Sequence, residues 1–231
     1  RHFCKREVTL NSRLSPQAYL GVVEIHEKDR VYSLEGPGEV VEVAVKMVRL
    51  PRERMLREVL RRGEAGTQTF AAIARTLAEF HREAFTSPEI QLIKRLKGVR
   101  FNCEENFQQT EKYIDTLVSD ETFNFIRTST DLFFQRKAPL FARRASSGRV
   151  VDGHGDLHLD SICVTDPVTI FDCIEFNERF RVLDVAEEVA FLAMDLEFSG
   201  YPELAAAFVD AYVAASADTE MLDLLSFYKA Y

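Results

Sequence analysis

Residues 151–176, VDGHGDLHLDSICVTDPVTIFDCIEF, decide how the rest of the chain is read. The stretch follows Val150 with Val151 and passes through Gly153 and Gly155, which bracket His154. Such glycines suit a backbone that turns sharply, because they tolerate φ > 0. Asp156 and His158 come next, and the pattern then predicts a short hairpin leading to a second apolar run that ends at Asp172. A purely structural loop has no need of these acids and histidines. Two aspartates on one loop and hairpin are what metal-assisted phosphoryl transfer requires, one to orient the attacking hydroxyl and one to hold Mg2+ on nucleotide phosphates.

HGDLHLDS followed by IFD resembles the signature of the aminoglycoside phosphotransferase and choline kinase group, relatives of the protein kinases with their H-R-D-L-x-x-x-N and D-F-G pair. The resemblance implies that His154 and Asp156 belong to the catalytic triplet, with Asp156 as the hydroxyl-orienting base. It makes Asp172 the principal Mg2+ ligand. Ser161 occupies the position five after Asp156, where the group usually carries asparagine. A hydroxyl is a weaker ligand for a hard cation, so Ser161 is expected to be a weak second metal ligand. His154 and His158 are expected to brace the loop through hydrogen bonds, and Glu175 to be a solvent-facing strand-end charge. Asp184 reads as a helix N-cap and also matches the aspartate that ties the catalytic loop's backbone in place.

The same resemblance implies an α+β, protein-kinase-like two-lobe fold. Residues 1–50 would form a small, partial β-rich N-lobe with the hinge at its end. Residues 51–231 would form a mainly helical C-lobe with the catalytic loop and metal-binding hairpin. VAVK within 43–46 is similar to the strand whose lysine grips nucleotide phosphates. Lys46 is nevertheless rejected for that role, because Leu50-Pro51 follows almost at once and starts the helical part. Glu7 then matches the glutamate that pairs with the missing lysine, and the adenine is expected against Met47, Val48 and Leu50. No phosphate-binding glycine-rich motif is present. The chain starts at Arg1 without methionine and reads as a piece, with the glycine-rich loop and lysine strand expected before it.

Composition sets the outer bounds. The 231 residues, 46% hydrophobic and 29% charged, describe an ordinary globular chain long enough to bury a real core. A net charge of −8 disfavours nucleic-acid and membrane-surface binding. Four cysteines without C-x-x-C spacing make a zinc site unexpected. Without a signal peptide or long apolar span, the expected location is cytoplasmic.

Along the chain, the pattern predicts a helix over 1–14, strands over 19–25, 30–34 and 39–48, and a turn at 35–38. A helix over 51–62 starts at Pro51 and stops before Gly63. The next is capped by Thr67 or Thr69 and carries the stripe Phe70, Ile73, Leu77 and Phe80, with His81 at its end as a core-edge residue. Further helices are expected over 103–118 and 120–145, and their phenylalanines are read as core. A loop over 177–183 precedes helices over 184–198, 202–216 and 218–231, the last started by Asp218.

These readings converge on an ATP- and Mg-dependent phosphotransferase acting on a hydroxyl of an unidentified small molecule. The alternative is a weak or inactive kinase-like module that binds nucleotide or a partner and regulates an attached ATPase. DGHGDLH, IFDCIEFN and VAFLAMDLE look most similar to bacterial proteins in which a kinase-like half precedes a P-loop ATPase half. Such an ATPase is therefore the expected partner.

Overall fold

A computed structural model describes residues 1–93 and 96–231 and shows a mixed α+β chain. Helix α1 (His2–Asn11) is shorter than the expected helix and packs on strands β1 (Tyr19–Lys28) and β3 (Glu39–Met47). With β2 (Val31–Leu34) they form an antiparallel sheet of order β2-β1-β3, as the alternating runs predict. Several large apolar residues of this sheet face outward, among them Leu20, Val31, Leu34 and Val41.

The helix expected over 51–62 is broken. Residues Arg52–Arg54 make one 3-10 turn, Met55 is extended, and α2 covers only Leu56–Arg61. The reason is tertiary pairing: Met55 bridges Cys163, and the Val164 amide donates to the Arg54 carbonyl at 2.7 Å. A helical Met55 could not make that bridge.

Helix α3 (Thr67–Glu83) buries the predicted stripe, Phe70, Ile73, Leu77 and Phe80. Its N-cap is Gly66, and Thr69 serves from inside the helix by accepting the Gly66 amide. The chain continues through α4 (Pro88–Ile93), α5 (Leu96–Thr110) and the long α6 (Asp120–Ser146), where the Ser119 hydroxyl caps Thr122 N. Phe134, Phe141 and Phe123 are core as expected, whereas Phe125 is 69% exposed.

Strand β4 (Val150–Asp152) leads into the 151–176 stretch, and the predicted hairpin is β5 (Ile162–Cys163) with β6 (Thr169–Ile170). The segment read as a loop over 177–183 instead holds α7 (Glu178–Arg181) and β7 (Val182–Asp184), which pairs antiparallel with β4. That pairing joins residues about thirty positions apart, so local pattern does not reveal it.

Helix α8 (Val185–Phe198) is apolar nearly all round and is the buried centre of the helical part. It packs against α9 (Pro202–Ser216) and α10 (Leu222–Ala230), and α9 also covers α3. Asp218 does not cap the last helix; its carboxylate goes to Arg144 on α6. Arg144 is fully buried and forks to Asp184 and Asp218, with four contacts of 2.7–2.9 Å. Burial alone would lower the guanidinium's pKa, but these two carboxylates outweigh it and raise it.

Candidate active site

Between β4 and β5 the chain makes a loop that is pinned from several sides. Gly153 sits where a Cβ would lie 3.0 Å from the Glu188 carboxylate. Gly155 has φ +89, and a Cβ there would meet the backbone of Phe180 and Arg181 at 3.0 Å. Both glycines are required by close approach, and Gly155 by its left-handed conformation as well.

The group holding this turn is Glu188 on α8. Its Oε1 accepts from the amides of His154 and Gly155, each at 2.7 Å, and its Oε2 lies 2.5 Å from His81 Nε2. His81 Nδ1 lies 2.7 Å from the Tyr212 hydroxyl. Burial pushes Glu188 up, but the bond from His81 and the charge there prevail, so its pKa is lowered. The loop-tying role expected of Asp184 thus falls to Glu188, one helical turn further on. Asp184 does cap α8, accepting the Ala186 amide at 2.9 Å, but its other contacts belong to Arg144. The far end of the loop is tied by Asp195, which accepts the Leu159 amide at 2.9 Å. Glu188 and Asp195 are seven residues apart and so share one face of α8, about 10 Å apart along its axis.

His154 is fully buried and neutral by construction. Its Nδ1 accepts the Asp156 amide at 3.3 Å, so the proton sits on Nε2, which donates to the Phe171 carbonyl at 2.8 Å. Burial lowers its pKa, overriding the field of Glu188. His154 therefore braces the loop through these two hydrogen bonds, as expected. It joins the backbone beside Asp156 to the residue immediately before Asp172.

The two aspartates are open to solvent. Asp156 has 45% of its side chain exposed, and Asp172 is exposed with φ +68. A left-handed backbone at a residue other than glycine stores strain and marks a place where the surroundings dictate conformation. Here Tyr19 helps, its hydroxyl accepting the Asp172 amide at 3.2 Å. Burial, together with the charges of Glu7 and Asp172, pushes the Tyr19 phenol up to about 12 despite that bond. Glu7 on α1 faces the same corner: burial, then Glu175, then Asp172 raise its pKa. The structure thus brings Glu7, Asp172, Glu175 and Tyr19 together.

Ser161 lies inside the loop. It is buried, accepts the His158 amide at 3.0 Å and donates to the His158 carbonyl at 2.8 Å. His158 Nδ1 accepts the Asp160 amide at 3.2 Å, and its Nε2 stays 3.7 Å from Asp156. Val48 and Leu50 line a cavity of about 150 Å³ closed by Thr165, Pro167 and Thr169 at the hairpin; Met47 is not part of its wall. Lys46 is exposed, and among the described residues it makes no ion pair with Glu7. No group of three or more His, Cys, Asp or Glu among the described residues is arranged to hold a metal unaided.

The segment 11–17 stitches α1 and β1 to the hairpin through alternate residues. Asn11 accepts the Cys173 amide at 2.8 Å, Ser15 exchanges two bonds with Ile170, and Gln17 donates to Thr169 at 3.1 Å. Arg13 donates to the Asp152 carbonyl and to the Gly153 carbonyl, each at 2.8 Å. Asp152 is shared between Arg13 and the buried Arg181. Sequence reasoning missed Glu188, Asp195, Asn11, Arg13 and Arg181. A signal existed: acids seven apart on a largely apolar helix, and polar residues in alternation just before β1.

No family model matches the chain. A protein of Mycobacterium tuberculosis (strain H37Rv), described as uncharacterised, is 34% identical over 229 residues, covering 99% of this chain and 44% of the relative. A Mycobacterium bovis protein matches to the same extent. The chain therefore spans under half the length of the curated relatives it matches. Among solved structures, a glucosamine kinase (crystal form B) superposes with a TM-score of 0.47 at 16% identity, covering 97% of this chain and 61% of that one. A likeness of that size bears on neither fold nor activity. Among the described residues, no helix is long and apolar enough to cross a membrane.

Proposed function

We propose that the chain is protein-kinase-like, with residues 1–50 as the small lobe and 51–231 as the helical lobe. We propose further that it carries out ATP- and Mg-dependent phosphoryl transfer to a hydroxyl of a small molecule. One observation carries this reading: the buried His154 bridges the Asp156 amide and the Phe171 carbonyl, so one side chain sets the spacing of two exposed aspartates. A loop built only for stability gains nothing from holding two carboxylates in water with one of them in a left-handed conformation.

In this reading Asp156 accepts the proton of the acceptor hydroxyl as its oxygen bonds to the γ-phosphorus and the bond to the ADP oxygen breaks. Asp172 would hold Mg2+, which supplies positive charge against the phosphate oxygens. The residues fit such an ion, because Mg2+ commonly takes one or two carboxylates and completes its shell with water and substrate phosphates. The acidic corner of Glu7, Asp172 and Glu175 favours a divalent cation by the same field that raises Glu7. Ser161 can add little, since its hydroxyl is already used on His158. The adenine would lie by Val48 and Leu50.

That Ser161 arrangement favours a second reading, a nucleotide-binding module that regulates an attached P-loop ATPase in the cytoplasm. Activity separates the two. The natural full-length protein, given labelled ATP, Mg2+ and a panel of small alcohols, should label an acceptor, and Asp156→Asn should lower the rate by about 10²–10⁴-fold. Labelling that survives Asp156→Asn, or none with any acceptor, rejects the enzyme reading.

A further inference from the structure

On the opposite side of Glu188 from the loop lies a cavity of about 240 Å³, between the ends of α3 and α9 and the turn joining α6 to β4. Its wall includes His81, Arg82, Ser147, Arg149, Tyr212 and Ser216, and none of its lining residues is acidic, in a chain of net charge −8. The two guanidiniums come from separate elements and are only loosely engaged. Arg82 pairs with Glu79 at 3.3 Å and Glu83 at 3.8 Å, all strongly exposed, and Arg149 reaches Asp218 at 3.6 Å. The exposed pairs of Arg82 are weak, so Arg82 can turn to a better partner, and Arg149, about a third exposed, holds the buried Asp218 only at 3.6 Å. Asp218 is already satisfied by Arg144.

Three helices end at this cavity, and their carbonyl ends contribute about −0.5 charge each at most. Against it stand the guanidiniums of Arg82 and Arg149, the two full charges carried by the wall itself. Arginine forks match the paired oxygens of phosphate and carboxylate groups. The volume is below the ~300–1,000 Å³ of pockets for drug-sized ligands, which sets a compact occupant.

We propose that this cavity binds a compact oxyanion, a phosphate or carboxylate group, and that its occupancy is felt by the Gly153–Asp156 turn. The connection is made of bonds already described: Tyr212 and His81 form the wall, His81 holds one oxygen of Glu188, and the other oxygen holds the His154 and Gly155 amides. A bound anion fixes the Tyr212 and His81 side chains of the wall and so steadies the hold of His81 on Glu188. This inference does not depend on the phosphotransferase reading.

The test is calorimetric titration of the full chain with inorganic phosphate, and separately with acetate, at ionic strength fixed by chloride. Hydrogen exchange over residues 153–161 is followed in the same samples. Saturable binding is expected, weakened at least about tenfold by Arg149→Gln with Arg82→Gln, because each removes charge-assisted bonds. Bound anion should slow exchange over 153–161 in the parent and not in the double variant. The tighter of phosphate and acetate names the source. Arg82→Gln alone, at an exposed position, guards against loss of fold and should weaken binding in part. Absent binding, binding equal in the variants, an effect reproduced by chloride, or weakened binding with unaltered exchange would each overturn the proposal.

Discussion

The two sides of the candidate site are built differently. On the α8 side, the loop carrying Asp156 is held by Glu188, Asp195 and His154, with the buried Arg144 and Arg181 and the half-buried Asp152 around it. On the β1–β3 side, a three-stranded sheet leaves Leu20, Val31, Leu34 and Val41 in solvent, and it meets the hairpin through the few bonds of residues 11–17. Rigidity is thus concentrated where the acids are presented. The sheet side contributes Glu7 and Tyr19 to the corner but little constraint of its own. Buried charges of this kind cost desolvation and return it only with complete partners, so their removal one at a time should hurt far more than any change on the sheet.

The largest effect is expected at Arg144. Arg144→Met leaves Asp184 and Asp218 buried without a counter-charge, and should cost about 3–5 kcal/mol in denaturant unfolding. Glu188→Ala should be of similar size, since it orphans two loop amides and His81. If either variant unfolds at the parent's midpoint, the contrast between the two sides fails.

Acid should act on the same side. Glu188 and His154 both have folded pKa values below their unfolded ones, so the unfolded chain binds more protons as pH falls. Their stabilisation is complete above the ordinary histidine value of about 6.5, and is lost as pH drops, first through His154 and then through Glu188. Melting temperature should therefore fall between about pH 6.5 and 4, and His154→Gln should flatten the upper part of that slope. A stability that rises on acidification would contradict both assignments.

Smaller still is Ser161→Ala, which leaves the His158 amide without its acceptor and should cost about 1–3 kcal/mol in thermal or urea unfolding. That the position bears on structure rather than on metal would follow if magnesium affinity stayed unchanged. At the bottom, Val31→Thr and Leu34→Lys on the sheet should shift stability by no more than about 0.5 kcal/mol. A loss of several kcal/mol there would mean that the sheet carries far more of the fold than its exposure suggests.

What was legible in the sequence follows the same division. Periodicity located the sheet strands and the α3 stripe, because those elements are set by neighbours a few residues away. The loop and its aspartates were legible because glycines, histidine and acids are an uneconomical choice for a plain turn. Long-range pairing was not legible. Met55 breaks a good helical pattern to bridge Cys163, and β7 forms because β4 is beside it. Asp184 and Asp218 both look like helix caps, and nothing local reveals that one arginine, Arg144, takes them both. Glu188 was hidden by its neighbour Glu187, since a pair of acids in a first helical turn reads as a favourable dipole contact.

The most direct test of the central claim is calorimetric titration of ATP into the natural full-length protein, with and without Mg2+, alongside its Asp172→Asn variant. The account predicts magnesium-dependent binding that the variant loses by at least about tenfold, as expected for removing one charged ligand from a hard cation. Binding indifferent to both magnesium and Asp172, or no binding, would contradict it.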